Sequence, residues 1–341
     1  MTTRFLTFLP GTVAGLLLVA CHGPKPDDVP VPAPDPPQLM VSTLAGGTQA
    51  GNVDATGSSA RFGYLWGATL DAQGNVYAVD HINGTIRRIT PAGEVSTVAD
   101  LGRPANIASG PDGVALGANG VLYVSMEGQT TLSQVSPAGV VSSLPGAAAT
   151  HVFNYARSLA ADAQGNIYVV ELLGQRIDKV TPAGAVTVLA GTGTAGYTDG
   201  PGSQAQFSGP TALVVDAQGN VYVSDAGNYR IRKITPAGQV STLAGSGTTG
   251  TLDGPGTTAQ FGTAMHGLSI DAAGTLYLGD GPRIRRITPA GEVSTLVGSS
   301  AGYVDGPVAE ARFVGVLGLV GNPTTGLYAI EVPRIRKIMI Q

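Results

Sequence analysis

The sequence has one cysteine among its 341 residues, Cys21, so no disulfide can form within the chain. Charged residues make up only 12% of it, and the formal net charge of −4 provides no basic surface for phosphates. We therefore expect no nucleic-acid partner. Beyond residue 21 no apolar run is long enough to span a bilayer. What the chain does contain is 43% hydrophobic residues and 50 glycines, which together indicate a compact all-β protein with many turns.

A short phrase, Thr-Pro-Ala-Gly or Ser-Pro-Ala-Gly, recurs every 45 to 54 residues along the chain. Its prolines are Pro91, Pro137, Pro182, Pro236 and Pro289. Around each copy lie four short runs that read as strands, separated by turns and loops. A period of roughly 40 to 50 residues with four strands per unit is typical of a β-propeller. The sequence therefore predicts one all-β propeller domain over residues 40–341.

The last unit lacks its fourth strand. The chain ends at Gln341, directly after the third-strand run Ile335-Arg336-Lys337-Ile338. A run of the fourth-strand type, Val41-Ser42-Thr43-Leu44, instead precedes the first unit. We expect this N-terminal strand to complete the last blade, which would close a ring of six blades and remove two sheet edges.

The units resemble NHL repeats. The clearest copy has Asp225, Asn228 and Arg230 ahead of the run Ile231-Arg232-Lys233-Ile234, and the resemblance extends over residues 40–341. It implies a six-bladed, NHL-like β-propeller. It does not specify a function, because the family includes protein-binding, RNA-binding, sensor and enzymatic propellers.

The first residues differ in composition from the rest. Arg4 precedes a mostly apolar run from Phe5 to Ala20, and Leu18-Val19-Ala20-Cys21 resembles the lipobox of a bacterial lipoprotein signal. We interpret residues 1–20 as a signal peptide, and the resemblance implies a lipid on Cys21. The alternative is a plain signal peptide with an incidental cysteine.

Residues 21–39 contain seven prolines, which favour an extended tether. The signal and the tether predict a lipid-anchored protein of the bacterial cell envelope, at the outer membrane or cell surface. In this interpretation the lipid is its only contact with the membrane.

Several charged residues recur from unit to unit. Arginines of the third strands accompany acids at the ends of the second strands: Asp80, Glu171, Asp225, Asp280 and Glu331. Four further aspartates, Asp54, Asp199, Asp253 and Asp305, lie in Asp-Gly loop phrases. A chemical site needs unlike groups that converge once, so we interpret the first set as structural ion pairs. We interpret the second set as turn formers, because one carboxylate per loop does not supply a calcium site.

One position differs in every unit, the residue before each inner strand. These residues are Trp66, Asp112, Arg157, Thr211, His266 and Leu317. We expect them to surround one mouth of the central channel, with His81, Glu127, His151, Asn154 and Tyr155 nearby. Such a mouth would suit a small polar or partly aromatic ligand. The alternative is that Trp66 plugs the channel and the others are solvated rim residues.

The segment from His266 to Asp271 is similar to NHL-type peptidyl-hydroxyglycine lyases, a resemblance that implies zinc held by histidines from three blades. The other five equivalent positions carry no histidine, so such a site would also need His81 and His151 to approach from loops. We predict no metal, no cofactor and no catalytic residue.

We therefore predict a monomeric binding module whose ligand or protein partner contacts the loop-rich face. The alternatives are a metal-assisted lyase or hydrolase, centred on His266 with Asp112 and Arg157, and a scaffold in an envelope assembly.

Overall fold

The computed structural model describes residues 38–102, 110–146 and 151–340, and strands form nearly all of its regular structure. The 3-10 turns that lie wholly within these ranges are Gly57–Ser59 and Ala226–Asn228. None of the described helices has the length and apolar character needed to cross a bilayer. The predicted signal peptide and most of the predicted tether, including Cys21, lie outside the described residues and stay predictions. The domain boundary at residue 40 also stays a prediction.

The strands form six antiparallel sheets, which are the six blades. The chain begins with β1 (Leu39–Ala45) and continues into blade one, with strands β2 (Leu65–Leu70), β3 (Val76–Asp80), β4 (Thr85–Ile89) and β5 (Val95–Asp100). Blade two has β6 (Pro111–Leu116), β7 (Leu122–Met126), β8 (Ser133–Val135) and β9 (Val141–Ser143). Blade three has β10 (Ala156–Ala161), β11 (Ile167–Glu171), β12 (Arg176–Val180) and β13 (Val186–Ala190).

Blade four has the two-residue β14 (Gly200–Pro201) at its outer edge, then β15 (Pro210–Val215), β16 (Val221–Asp225), β17 (Arg230–Ile234) and β18 (Gln239–Ala244). Blade five has β19 (Met265–Ile270), β20 (Leu276–Asp280), β21 (Arg283–Ile287) and β22 (Val293–Val297). Blade six has β23 (Gly306–Pro307), β24 (Gly318–Asn322), β25 (Gly326–Glu331) and β26 (Arg334–Ile340). The predicted six-bladed, all-β propeller is confirmed.

The first hairpin of a blade is fixed by local chemistry, as blade four shows. The Asp216 carboxylate accepts hydrogen bonds from the backbone N–H groups of Gln218 and Asn220, at 3.0 and 2.8 Å. Gly219 between them has φ of 80°, a conformation that glycine adopts without the steric cost of a side chain. This turn sets the register of β15 against β16.

The N-terminal strand closes the ring, as predicted. Sheet order in blade six is β23-β1-β26-β25-β24, and β1 pairs antiparallel with β26, with Leu39 opposite Ile340 and Val41 opposite Ile338. Val41 is 2% exposed and packs in the core of that blade. The first described strand therefore supplies the fourth strand of the last blade.

The hydrophobic core lies between neighbouring blades. One cluster joins Val170 and Ile177 of blade three to Leu213 and Val223 of blade four. A phenylalanine between the fourth strand of one blade and the inner strand of the next is fully buried in five cases: Phe62, Phe153, Phe207, Phe261 and Phe313. Because each blade packs against its neighbours, the ring is one cooperative unit.

A buried arginine braces four of the blades. Arg87, Arg232, Arg285 and Arg336, here called the framework arginines, are 0 to 1% exposed. In blade four Arg232 contacts Asp225 at 2.7 Å and Asp199 at 2.6 Å. Asp199 also accepts the backbone N–H of Thr242, and the loop aspartates Asp54, Asp253 and Asp305 are held in the same way. The structural interpretation of these repeated charges is confirmed in these four blades.

Blade three pairs Glu171 with a third-strand arginine at a different position from the framework arginines. Its third strand carries Asp178 opposite Val169, the register at which Arg232 lies opposite Val223. Glu171 therefore faces a second carboxylate, and its arginine partner is Arg176 near the start of β12, at 3.0 Å. Glu171 is therefore in an ion pair with an arginine of its third strand, as interpreted, but the position of the buried framework arginine carries an acid in this blade.

Candidate functional site

The six variable residues lie together at one end of the central channel. A cavity of about 380 Å³ is lined by the six inner strands and by what we call the mouth ring: Trp66, Asp112, Arg157, Thr211, His266 and Leu317. At its other end the lining is apolar, with Leu116, Val215 and Ile270 among its residues. The cavity therefore has one chemically varied end and one uniform end.

A β-bulge places the mouth residue in five of the six blades. The pairing of the inner strand with the second strand shifts register between Leu65 and Ala68, and again at the starts of β6, β10, β15 and β19. A bulge inserts an unpaired residue and re-aims its side chain. Trp66, Asp112, Arg157, Thr211 and His266 lie within these shifts.

Trp66 is the centre of the mouth. Its ring lies 4.5 Å from the Arg157 guanidinium carbon and 6.0 Å from the His266 ring, and it stacks with Tyr64 at 5.4 Å. Trp66, Arg157 and His266 come from blades one, three and five, so the indole lies near the channel axis. The structure thus brings these three residues together, as the sequence interpretation required.

Four residues form an acidic group beside the indole, here called the acid cluster: His81, Asp112, Glu127 and Tyr155. His81 Nδ1 is 3.2 Å from Asp112 Oδ1, and His81 Nε2 is 3.4 Å from Glu127 Oε2. Tyr155 hydrogen-bonds Glu127; burial, this bond and the two nearby carboxylates raise the pKa of its hydroxyl. His81 and Glu127 come from the loops after second strands, and Tyr155 adopts a left-handed φ of 63° beside an inner strand.

His266 is neutral at physiological pH. Burial, followed by the charge of Arg157, lowers the pKa of its imidazole to about 4. Its Nδ1 is buried without a hydrogen-bond partner among the described residues. A neutral imidazole with an open nitrogen can donate to a ligand or accept from one, according to its tautomer.

Arg157 differs from the framework arginines. Each of those is buried between two carboxylates, whereas Arg157 is half-buried and forms no ion pair with a described residue. Its guanidinium lies over an aromatic ring instead, which leaves its N–H donors for another partner.

His151 does not join the mouth. Among the described residues its ring contacts Phe153 at 4.5 Å, and its Nε2 lies 3.4 Å from Asp178 and 3.7 Å from Glu171. His151 is not among the residues that line the cavity, and its part in the binding site stays a prediction. Asn154 is exposed, and its carbonyl accepts a hydrogen bond from Gly174.

The three-histidine zinc set is not assembled. The described residues contain two groups with metal-ligand spacing, His81 with Asp112 and Glu127, and His151 with Glu171 and Asp178. His266 belongs to neither. Sequence reasoning also missed Tyr64 and Asp178. A signal for Asp178 was present, because it replaces arginine in the run Ile177-Asp178-Lys179-Val180.

The repeats match a known domain over part of the chain. Residues 124–235 match the Teneurin NHL domain. A stretch of 71 residues is 39% identical to the chloroplastic protein SUPPRESSOR OF QUENCHING 1 of Arabidopsis thaliana. That stretch is 20% of this chain and 7% of the length of the plant protein.

Solved structures share the whole ring. A protein of unknown function from Bacteroides thetaiotaomicron has a TM-score of 0.72 at 24% identity, with 90% of this chain and 77% of that chain covered. An auxiliary nutrient binding protein from the same organism has a TM-score of 0.71 at 18% identity, with 89% and 77% covered. At these identities the likeness shows the propeller fold.

Proposed function

We propose that this NHL-type six-bladed β-propeller binds a small polar ligand at its channel mouth, and that it does so from the bacterial cell envelope. The observation that carries the proposal is the convergence of Trp66, Arg157 and His266 from three blades at one end of a cavity. The rest of the framework repeats, so the unlike groups mark the binding site.

The charges at the mouth define the ligand. Arg157 offers donors to an anionic group, while Asp112 and Glu127 of the acid cluster offer acceptors to hydroxyl or ammonium groups. The indole of Trp66 offers apolar surface between them. We therefore propose a small hydroxylated or aminated carboxylate, of the size that a cavity of about 380 Å³ admits.

Two further points support the proposal. The printed name of one structural neighbour is an auxiliary nutrient binding protein, so this fold serves small-molecule binding elsewhere. The lipobox-like segment ending at Cys21 and the proline-rich tether would hold such a propeller at a membrane surface, where nutrients are captured. A lipid-anchored envelope protein is thus part of the proposal.

The single tryptophan makes the test direct. Trp66 is the only tryptophan in the chain, so its fluorescence reports on the mouth alone. Galacturonate and galactose form a matched pair of probes that differ in one carboxylate. We expect galacturonate to change the fluorescence at lower concentration than galactose does, and we expect Arg157→Gln to weaken its binding about tenfold or more.

Arg88→Gln is the matched control, since Arg88 lies on a third strand and bonds Asn75 instead of lining the cavity. Arg157→Lys keeps the charge and should retain part of the affinity. If neither sugar perturbs Trp66, or if Arg157→Gln and Arg88→Gln bind alike, the proposed ligand class is wrong.

A second candidate is metal-assisted lyase or hydrolase chemistry at the same mouth. The observation that favours it is the acid cluster, in which His81, Asp112 and Glu127 place one nitrogen and two oxygens within 4.8 Å of one another. Divalent-ion binding at the mouth that Glu127→Gln abolishes would favour this candidate over simple binding.

A further inference from the structure

Blade three lacks the buried arginine that braces four of the other blades. At its brace position Asp178 replaces the framework arginine, and Glu171 occupies the place of Asp225. Both carboxylates are fully buried. Two buried carboxylates side by side repel each other, and each loses its hydration. The pair therefore needs a bound proton or a cation beyond Arg176, which lies 3.0 Å from Glu171 and 3.5 Å from Asp178.

Three of the four carboxylate oxygens of Glu171 and Asp178 lack a hydrogen-bond partner among the described residues. Neither oxygen of Asp178 has a hydrogen-bond partner among the described residues, and the same is true of Glu171 Oε2. In native proteins buried polar atoms of this kind are nearly always paired, with protein, water or an ion. The missing partner therefore belongs between these side chains.

His151 completes a ligand set around the gap. Its Nε2 also lacks a hydrogen-bond partner, and lies 3.4 Å from Asp178 Oδ2 and 3.7 Å from Glu171 Oε1. Three ligands at about 2.0 to 2.2 Å from one tetrahedral metal ion lie about 3.3 to 3.6 Å apart. These distances are therefore close to those of a metal site.

Arg176 supports the set from outside. In blades four and five the equivalent residues, Arg230 and Arg283, donate to carbonyl groups of the following loop. Arg176 instead donates to Glu171 Oε1 at 3.0 Å. An oxygen that accepts this bond keeps a second lone pair for a cation, and such outer contacts orient metal ligands.

Access to the gap lies on the histidine side. The side chains of His151 and Arg176 are each 28% exposed, whereas those of Glu171 and Asp178 are fully buried. A cation can therefore reach the carboxylates past the imidazole. One nitrogen and two carboxylates suit zinc and similar transition ions better than calcium or magnesium, which prefer oxygen ligands alone.

We propose that blade three binds a divalent transition-metal ion, with His151 Nε2, Glu171 and Asp178 as its protein ligands, in place of the guanidinium that braces four other blades. The ion ties the segment that carries His151 to the strands β11 and β12. This site is separate from the proposed ligand site and does not depend on it.

Zinc titration of the full chain tests the proposal. After EDTA treatment and dialysis, calorimetry with ZnCl₂ and elemental analysis measure stoichiometry and affinity, and a melting curve measures stability. We expect one zinc ion at blade three and a higher melting temperature with zinc. His151→Gln should weaken this binding at least about tenfold and remove most of the thermal shift.

Asp178→Arg supplies a second, independent variant. It installs the residue that four other blades use, so we expect a folded protein whose melting temperature no longer responds to zinc. Glu127→Gln is the control for the other candidate metal group, and it should leave the blade-three ion in place.

Three results would overturn the proposal. They are the absence of zinc binding by the wild-type protein, unchanged binding by His151→Gln, and loss of the bound zinc in Glu127→Gln alone. The last result would assign the metal to the mouth. A failure of galacturonate to perturb Trp66 would leave the zinc result unaffected, so the two proposals fail separately.

Discussion

Arginine has two different uses in this protein, and the difference lies in its partners. Arg285 is fully buried, with Asp280 at 2.9 Å and Asp253 at 2.7 Å, so its charge is neutralised within the fold. Arg157 has an aromatic ring beneath it and no ion pair with a described residue. The first arrangement stabilises a blade, and the second leaves a charge for a ligand.

Removing a framework arginine should be costly. Arg285→Met leaves Asp280 and Asp253 without their cation, and breaking one side of a buried ion pair costs about 3 to 5 kcal/mol. The neighbouring Arg286 is exposed on the same strand, and Arg286→Met should change stability by about 0.5 kcal/mol or less. Denaturant unfolding of both variants measures the difference; equal midpoints would contradict the structural role.

His266 should make the protein sensitive to acid. Its pKa is lowered to about 4 in the fold, chiefly by burial. Between the usual histidine pKa and this value, the imidazole is protonated in the unfolded chain and neutral in the folded protein. The resulting loss of stability begins below the usual histidine pKa near 6.5 and is complete near pH 4.

His266→Gln tests this because glutamine takes up no proton. Between pH 7.5 and pH 4.5 the wild-type protein should lose about 2 to 3 kcal/mol more stability than the variant. Urea unfolding at the two pH values measures both losses, and identical losses would show that His266 is not shielded.

Among the elements, β1 is the one whose partner is farthest away along the chain. It lies between β23 and β26, and without it β26 would present an unpaired edge. Deleting residues 40–46 should therefore lower the melting temperature or cause aggregation.

Deleting residues 22–36, in the predicted tether, is the matched control. That deletion leaves β1 whole, and the melting temperature should remain that of the wild-type protein. Equal melting of the two truncated proteins would contradict the role of β1.

The strands and the closing strand could be predicted because repetition shows which residues are equivalent. Val41 to Leu44 matched the fourth strands of other units, so its place in blade six followed from the pattern. Likewise, the mouth ring was found as the one position at which the units disagree.

Side-chain direction could not be predicted in the same way. A β-bulge changes the direction of the side chain within it. The residue types at Trp66 and the equivalent positions do not indicate that a bulge is present there. Tyr64 stacks on Trp66 and His151 lies beside Glu171 and Asp178 because the fold brings these side chains together. Their positions along the sequence do not show this. The sequence shows that Asp178 replaces an arginine of the repeat. The cluster that Asp178 forms with His151 is evident only from the structure.

At the scale of the whole molecule, the lipid anchor proposed for Cys21 would place the propeller at a membrane. Cys21→Ser should move the protein from the membrane fraction to the soluble fraction, or leave it unprocessed, because the acyl chains supply the membrane affinity. Fractionation and gel mobility of both forms measure this. Recovery of the variant in the membrane fraction with unchanged mobility would contradict a lipid on Cys21.

Because β1 pairs with β26, the last blade cannot be completed until the end of the chain has been synthesised. Leu39 is made about 300 residues before its partner Ile340, and ribosomes add about 5 to 20 residues per second. For roughly 15 to 60 seconds, β1 therefore waits with both of its edges unpaired while the intervening blades emerge. Any factor that shields exposed strands during synthesis would act on this segment first, and synthesis rate would govern how much of the protein closes correctly.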